Sequence, residues 1–347
     1  MKSFSLKKFT LLLTLFFQNC IPYLYHVSTE QAKIILNRKE MKEVIQSDSE
    51  EGIIKSKLKL IQDVRQFAIN EISLSPKGGF EYFTKLNREE VGWNVSASYP
   101  LKFESYTWWF PFAGTVPYKG YFDLKKAKEE EQTLIEKGFD TRVRITAAYS
   151  TLGWFSDPVM SPQLRMTEDE LVSLVIHEMS HATVYFPGDS NFNESYASFV
   201  EEEGTERFYR AHNSSKTEEV LEKRKKAKVQ SDFIIAQVKQ TAFQLKEMYE
   251  KEELSDEQKL EKKKEIIENY RERILANSHL LTNFNPEKFK KTPLNNENFI
   301  GILRYHSGSK LFQNKFIEVG KDFKKFHQAM EELKSLSVEE RAELLKE

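Results

Sequence analysis

The sequence predicts a mainly helical α+β protein, and three observations support this fold class. Apolar residues recur at helical intervals over residues 28–72, over 124–137 and again after residue 167. Residues 80–123 are instead rich in aromatic and β-branched residues separated by prolines and glycines, which indicates strands. Residues 215–276 are dense in Lys and Glu with apolar positions at helical spacing, which predicts a long antiparallel helix pair with a solvated face.

Composition excludes several classes of protein. The 347 residues are 39% hydrophobic and 13% aromatic, so the chain can bury a sizeable core and is not disordered throughout. The net charge of -1 provides no overall field that would attract nucleic acid, and no nucleic-acid partner is expected. A single cysteine, Cys20, excludes an intramolecular disulfide and a thiolate zinc site. No apolar run is long enough to predict a transmembrane helix.

The beginning of the chain resembles an export signal. Basic residues, among them Lys7 and Lys8, precede an apolar run over 9–17, which predicts a signal peptide over 1–19. Residues 15–20 resemble a relaxed lipoprotein cleavage box, in which Cys20 becomes the lipidated first residue. We therefore expect an exported protein of the bacterial cell envelope that contacts the membrane through a lipid anchor only and faces the periplasm or the surface. A buried N-terminal helix is the alternative.

A metal-binding pattern lies inside a well-marked helix. Thr167 and Glu170 form a capping box that predicts a helix start, and the helix contains His177-Glu178-Met179-Ser180-His181. Histidines at i and i+4 lie on one helix face, so both imidazoles can reach one metal ion. Zinc suits this donor set, and the adjacent Glu178 can take a proton from zinc-bound water. Two ordinary core histidines beside an incidental glutamate are the alternative.

A third ligand is expected on the following helix. The helix of His181 is predicted to continue one more turn to Tyr185, a break follows at 186–189, and a second helix starts near 191–193. If it folds back antiparallel, both Glu194 and Glu201 lie on the facing side, and helix geometry alone does not choose between them. Glu201 could also support His177, or belong with its acidic neighbours to a solvated patch.

The motifs resemble a known family of peptidases. His177-Glu178-x-x-His181 followed by Asn193-Glu194-x-x-Ala197-Ser198-Phe199-Val200-Glu201 is similar to the zinc site of gluzincin metallopeptidases. The short gap of twelve residues between His181 and Glu194 is closer to bacterial predicted aminopeptidases, which are often lipoproteins, and residues 108–123, 148–158 and 187–189 resemble that family too. The resemblance implies one zinc ion per chain, with His177, His181 and Glu194 as its ligands and Glu178 as the general base.

Two further segments are candidates for substrate contacts. Residues 149–153 could form an edge strand to which an extended peptide adds by backbone hydrogen bonds, or an ordinary buried strand end. Tyr305 and His306 are candidates for stabilising the oxyanion, because gluzincin sites resemble one another in using a Tyr or His for this role. We favour Tyr305, since a phenol remains a donor at any working pH. Both residues could equally serve packing alone.

The sequence thus predicts a zinc-dependent, aminopeptidase-like hydrolase that acts on peptides. Its expected organisation is a signal peptide over 1–19, a peptidase core over 20–214, a charged helical hairpin over 215–276 and C-terminal helices over 277–347 that close the core. In this core a zincin-like helix pair packs on a small β-rich region. The Gly-Ala-Met-Glu-Asn segment of zinc aminopeptidases is absent, so an endopeptidase or amidase remains an alternative. A non-catalytic envelope binding protein is the alternative from another class.

Overall fold

The computed structural model describes residues 23–110, 114–146, 156–212, 217–306 and 308–346, and it is mainly helical, as predicted. The proposed signal segment, Cys20 and the proposed edge strand at 149–153 lie outside these residues. None of the helices described is long and apolar enough to cross a membrane. The helices are α1 (23–36), α2 (Met41–Gln46), α3 (Gly52–Asn70), α4 (Leu124–Glu136), α5 (Glu168–His181), α6 (Ser190–His212), α7 (Thr217–Tyr249), α8 (Asp256–Ala276), α9 (Pro286–Lys291), α10 (Asn296–Leu303), α11 (Ser309–Glu318), α12 (Phe323–Glu332) and α13 (Val338–Leu344).

The strands form three small sheets. They are β1 (Lys39–Glu40), β2 (Tyr82–Thr84), β3 (Gly92–Ser98), β4 (Trp108–Phe110), β5 (Gly114–Val116), β6 (Tyr118–Tyr121), β7 (Asp140–Thr146) and β8 (Val159–Met160). One sheet has the order β1-β2-β8, the second has the order β6-β3-β7, and β4 pairs with β5. The strand-rich nature of residues 80–123 is therefore confirmed over the described residues.

The β6-β3-β7 sheet has two unlike faces. Val95 and Ala97 pack in an apolar cluster with Ala127 and Leu134 of α4. Because side chains alternate along a strand, the residues between them point to the opposite face. The antiparallel register places Ser96 beside Tyr118 and Arg142, and places Asn94 beside Gly120 and Arg144. We call Asn94, Ser96, Tyr118, Arg142 and Arg144 the polar face of this sheet.

Helix α5 begins where the sequence predicts and ends earlier than expected. The Thr167 amide donates to Glu170 Oε2 at 2.7 Å, which completes the capping box. The predicted turn to Tyr185 is wrong, because the helix ends at His181. The Thr183 hydroxyl donates to Met179 O at 2.8 Å and occupies the carbonyl that its own amide would use in an α-helix; that amide donates to Ser180 O at 3.0 Å instead.

Helix α6 packs closely against α5 and α3 in the largest apolar core. The core is formed mainly by side chains of α3, α5, α6, α11 and α12. At Gly204 of α6, a Cβ atom would stand 2.9 Å from Ile72 Cδ1 and 3.1 Å from Ile176 Cγ2. A glycine therefore allows the backbone of α6 to approach the face of α5 that carries the histidine motif.

Helices α7 and α8 form the predicted hairpin. The second helix starts at a capping box of Ser255 and Gln258. A second core joins the hairpin to α10 through Val238, Ile267 and Phe299. The Lys263 ammonium also pairs with Asp140 of β7. The hairpin thus holds α10 against the polar face of the sheet. The domain boundaries at 215 and 277 remain predictions.

Candidate metal centre

The turn between α5 and α6 is fixed by side-chain hydrogen bonds. Asn193 Oδ1 accepts from the Phe186 amide and its Nδ2 donates to Phe186 O, both at 2.8 Å. Asp189 Oδ1 accepts from the Phe192 amide at 3.2 Å, and Asp189 Oδ2 lies 2.8 Å from Arg341 Nε in an ion pair with little exposure. These bonds fix the first turn of α6, and Glu194 is the next residue after Asn193.

The structure brings the three predicted ligands together. His177 Nε2 and His181 Nε2 lie 3.2 Å apart, as the i, i+4 spacing on one helix predicts. Glu194 Oε2 lies 3.5 Å from His177 Nε2 and 3.8 Å from His181 Nε2. The side chain of Glu194 is only 10% exposed. All three donor atoms therefore face one small space between α5 and α6.

The dimensions of this group fit a metal ion. In a tetrahedral site with metal–ligand bonds of about 2.0–2.2 Å, neighbouring ligand atoms lie about 3.3–3.6 Å apart. The three observed separations of 3.2, 3.5 and 3.8 Å bracket this range. No other group of three or more His, Cys, Asp or Glu residues with this potential occurs in the described ranges. His177, His181 and Glu194 can therefore hold one metal ion.

Glu201 contacts the other side of His177. Its Oε2 lies 3.0 Å from His177 Nδ1, so it faces away from the space between the two Nε2 atoms. A carboxylate in this position fixes the tautomer and the orientation of a ligand imidazole. Its neighbour Glu202 is exposed and pairs with Lys228 at 2.9 Å. The geometry thus gives Glu194 and Glu201 different positions, in agreement with the supporting role considered for Glu201.

Burial and charge shift the pKa values of the group. Burial raises the pKa of Glu178 to about 7, and the charges of Glu194 and Glu201 act in the same direction. Burial alone would lower the pKa of His177, but its contacts with Glu194 and Glu201 outweigh burial and raise that pKa well above the usual value. Burial lowers the pKa of His181 to about 4. Glu178 can therefore exchange a proton near neutral pH.

Tyr305 is close enough to the metal centre for the charges of Glu194 and His177 to act on it. Its hydroxyl accepts a hydrogen bond from Arg144 Nη2 at 3.1 Å. Burial raises the pKa of Tyr305, and the charge of Glu194 raises it further. The neighbouring His306 lines a surface cavity with Ile234 and Ile235 of α7, and burial and then the Lys228 and Lys239 charges lower its pKa. The two candidates therefore have different surroundings.

Sequence reasoning missed three residues near Glu194. Tyr118 and Tyr185 are both buried enough to have raised pKa values, and the charge of Glu194 contributes to both shifts. Arg144 is the hydrogen-bond donor to Tyr305. Arg142 and Arg144 alternate with Val143 and Ile145 in the sequence. This period-two pattern was a signal that two arginines share one face of a strand.

Comparison with known proteins places the chain in a family. A search of curated protein sequences and a search of solved structures each returned no match. A family model described as "Putative aminopeptidase" matches residues 22–345, which include α5, α6 and the whole metal centre. The match covers nearly the full sequence and agrees with the family that the motifs resemble. The chain belongs to the family described as "Putative aminopeptidase".

Proposed function

We propose that this protein is a zinc-dependent peptide hydrolase of gluzincin type, with one zinc ion held by His177, His181 and Glu194. The observation that carries the proposal is the convergence of these three donor atoms beside Glu178. Two imidazoles and one carboxylate form a known catalytic zinc set that leaves a position open. Membership of an aminopeptidase family points to peptides as the substrates.

The residues of the chain divide the chemistry between them. Bound zinc supplies a Lewis acid that polarises a carbonyl and lowers the pKa of a water molecule to about 7. Glu178 takes the proton of the attacking water and transfers it to the leaving amine as the peptide C–N bond breaks. Burial raises its pKa in the metal-free site, which favours its acceptance of a proton. Glu201 orients the imidazole of His177.

Tyr305 is proposed to stabilise the oxyanion. Arg144 donates to the oxygen of the Tyr305 hydroxyl, so the hydrogen of that hydroxyl remains free to be donated. Its raised pKa keeps the phenol protonated at working pH. A hydrogen bond to the developing oxyanion would lower the barrier for attack. Tyr118 is half-buried and close enough to Glu194 for that charge to contribute to its raised pKa, and it is the second candidate for this role.

The decisive experiment combines metal analysis with a single isosteric change. Purified protein should contain about one zinc per chain and hydrolyse unblocked peptides. Glu178→Gln should retain the zinc and lose hydrolysis, because the amide cannot accept the proton. Retained hydrolysis in that variant would remove Glu178 from the mechanism. A metal-free protein with no hydrolysis would favour the non-catalytic envelope binding protein.

The same assay distinguishes an exopeptidase from the alternatives. An aminopeptidase should cleave free peptides and reject N-acetylated ones. Equal cleavage of both would favour an endopeptidase, and cleavage of non-peptide amides alone would favour an amidase. This comparison is needed because the chain lacks the Gly-Ala-Met-Glu-Asn segment of zinc aminopeptidases.

We also propose export and lipid anchoring at Cys20. Mass analysis of the native protein should find a chain that begins at Cys20 and carries lipid. Cys20→Ser should release the protein from the membrane fraction, because the acyl chains attach to this thiol. A soluble mature chain with a free thiol would instead indicate ordinary signal cleavage.

A further inference from the structure

Three arginines crowd between the polar face of the sheet and α10. Arg142 and Arg144 belong to β7, and Arg304 follows the last residue of α10. Arg304 Nη2 lies 3.6 Å from Glu297 Oε1, and both side chains are only 1% exposed. The Ser96 hydroxyl also donates a hydrogen bond to the Glu297 carboxylate. The charge of Glu297 is therefore matched by Arg304, and the two arginines of β7 add further positive charge.

Arg144 has spare hydrogen-bonding capacity. Its Nη2 donates to the Tyr305 hydroxyl, and its guanidinium carbon lies 5.6 Å from the centroid of the Tyr305 ring. A guanidinium has five N–H donors. The contact with Tyr305 is the single hydrogen bond of the Arg144 side chain within the described ranges. Arg144 thus joins Tyr305, beside the metal centre, to the polar face.

Arg142 is half-buried and has no counter-ion in contact. Its side chain makes no hydrogen bond and no ion pair with the residues that the structure describes. Among its charged neighbours, Arg144 and Arg304 lower its pKa, whereas Glu297, which already pairs with Arg304, raises it. Its Nη1 would lie 3.7 Å from a Cβ at Gly301, so α10 passes this guanidinium with a glycine. A partly desolvated charge without a partner is costly. Such a cost is expected where a ligand supplies the missing charge.

We propose that Arg142 and Arg144 bind a carboxylate of the substrate, which makes β7 a specificity element of the proposed peptide hydrolase. A carboxylate fits a guanidinium in a two-point, charge-assisted geometry that a neutral amide cannot reproduce. Because Arg144 contacts Tyr305, the bound carboxylate lies close to the reacting bond. The preferred substrates are therefore short peptides with a free C-terminal carboxylate or with an acidic side chain next to the scissile bond.

Binding to Glu178→Gln protein tests this proposal separately from hydrolysis. The probes are trialanine, trialanine amide and Ala-Glu-Ala amide, titrated by calorimetry into the zinc-loaded protein. Trialanine should bind about 10–100-fold more tightly than its amide, as expected for charge-assisted hydrogen bonds. If Ala-Glu-Ala amide binds as tightly as trialanine, an acidic side chain also supplies the carboxylate. Equal affinity for trialanine and both amides would overturn the proposal without requiring any arginine variant.

Arginine variants then test the residues themselves. In the Glu178→Gln background, Arg142→Gln should remove most of the difference between acid and amide, and Arg142→Lys should restore part of it. In the otherwise wild-type enzyme, Arg142→Gln should raise KM for free acids with little change in kcat. Arg210→Gln, at an exposed position of α6, is the matched control and should leave both unchanged. An unaltered preference in Arg142→Gln and Arg144→Gln would refute the assignment.

Two outcomes separate this proposal from the proposed function. If zinc and hydrolysis are confirmed but the acid preference is absent, only the carboxylate site is wrong. If the acid preference is present in a protein that lacks hydrolysis, the carboxylate site stands and the peptidase assignment is wrong.

Arg142→Gln should also melt at or above the wild-type temperature, since it removes an unpaired charge. This distinguishes Arg142 from the ion-paired Arg304, whose loss should lower the melting temperature.

Discussion

Glu194 and Glu201 stand two turns apart on α6 and contact different nitrogens of His177. Glu194 faces Nε2 together with His181, whereas Glu201 faces Nδ1. A carboxylate on Nε2 can share a metal ion with the imidazole, and a carboxylate on Nδ1 can only orient the ring. The two glutamates should therefore differ sharply in how their loss affects the metal.

Replacing each glutamate by alanine tests this difference. Glu194→Ala should lose the metal, since only two ligands remain. Glu201→Ala should keep the site and bind metal about 10–100-fold more weakly. Metal content after gel filtration and competition with a chelator measure both effects. The reverse pattern, with metal lost only in Glu201→Ala, would show that the ligands have been assigned wrongly.

Tyr305 and His306 provide a matched pair of neighbours. Tyr305→Phe should lower kcat by about 10²–10³-fold with KM and metal content nearly unchanged, because only the oxyanion contact is lost. His306→Ala should keep wild-type kcat, since His306 lines a surface cavity with Ile234 and Ile235 of α7. Steady-state kinetics on one peptide compare the two. A normal rate in Tyr305→Phe with an impaired His306→Ala would exchange their roles.

The sequence was sufficient to predict the two histidines and insufficient for their surroundings. His177 and His181 belong to one helix, so their proximity follows from local geometry. The choice of Glu194 over Glu201 depends on how α5 and α6 pack, and helix periodicity left it open. The resemblance to known peptidases chose Glu194, and the structure places this residue with the histidines. Tyr118 and Arg144 reach the site only through the strand pairing of β6, β3 and β7.

At the scale of elements, the close contact of α6 with its neighbours positions the site. Gly204 lies where a Cβ would be 2.9 Å from Ile72 and 3.1 Å from Ile176. Ile176 precedes His177 on α5, so the packing at this point controls the separation of the two ligand-bearing helices. Any larger residue at 204 must push them apart or displace the isoleucine side chains.

Gly204→Ala should therefore destabilise the protein by about 1–3 kcal/mol, since the added methyl group would overpack the core at this point. Gly52→Ala is a control of the same chemical type, because Gly52 of α3 has no atom within 4 Å of its potential Cβ. The control should be neutral or slightly stabilising, as alanine favours helices. Urea unfolding curves give both free energies. Equal stability of the two variants would argue against tight packing at Gly204.

At the scale of the whole molecule, His327 of α12 contacts two segments that are distant in sequence. Its Nε2 lies 2.9 Å from Ile72 O, and because a carbonyl only accepts, this nitrogen carries the proton. Its Nδ1 therefore accepts the hydrogen bond from the Tyr196 hydroxyl, 2.8 Å away. The ring thus connects α12 with α6 and with Ile72, which lies just after the end of α3. Protonation of Nδ1 would abolish the bond from Tyr196.

The stability of the fold should consequently fall in weak acid. Burial lowers the pKa of His327 from 6.5 to about 4, so between these values the unfolded chain binds the proton and the folded chain does not. The free energy of unfolding should decrease by up to about 3 kcal/mol as the pH falls from 6.5 to 4. His327→Gln should lack this part of the pH dependence. Identical pH profiles for variant and wild type would exclude His327 as the source.

The ion pair of Asp189 and Arg341 also affects the order in which the protein matures. It connects residues 152 positions apart, and Asp189 belongs to the turn that places Glu194. The histidine pair can form as soon as α5 folds, whereas the turn gains Arg341 only when α13 docks. Such a distant contact is entropically expensive to close and forms late. A chain truncated before α13 would lack this support for the turn, so it should retain metal less tightly than the full chain.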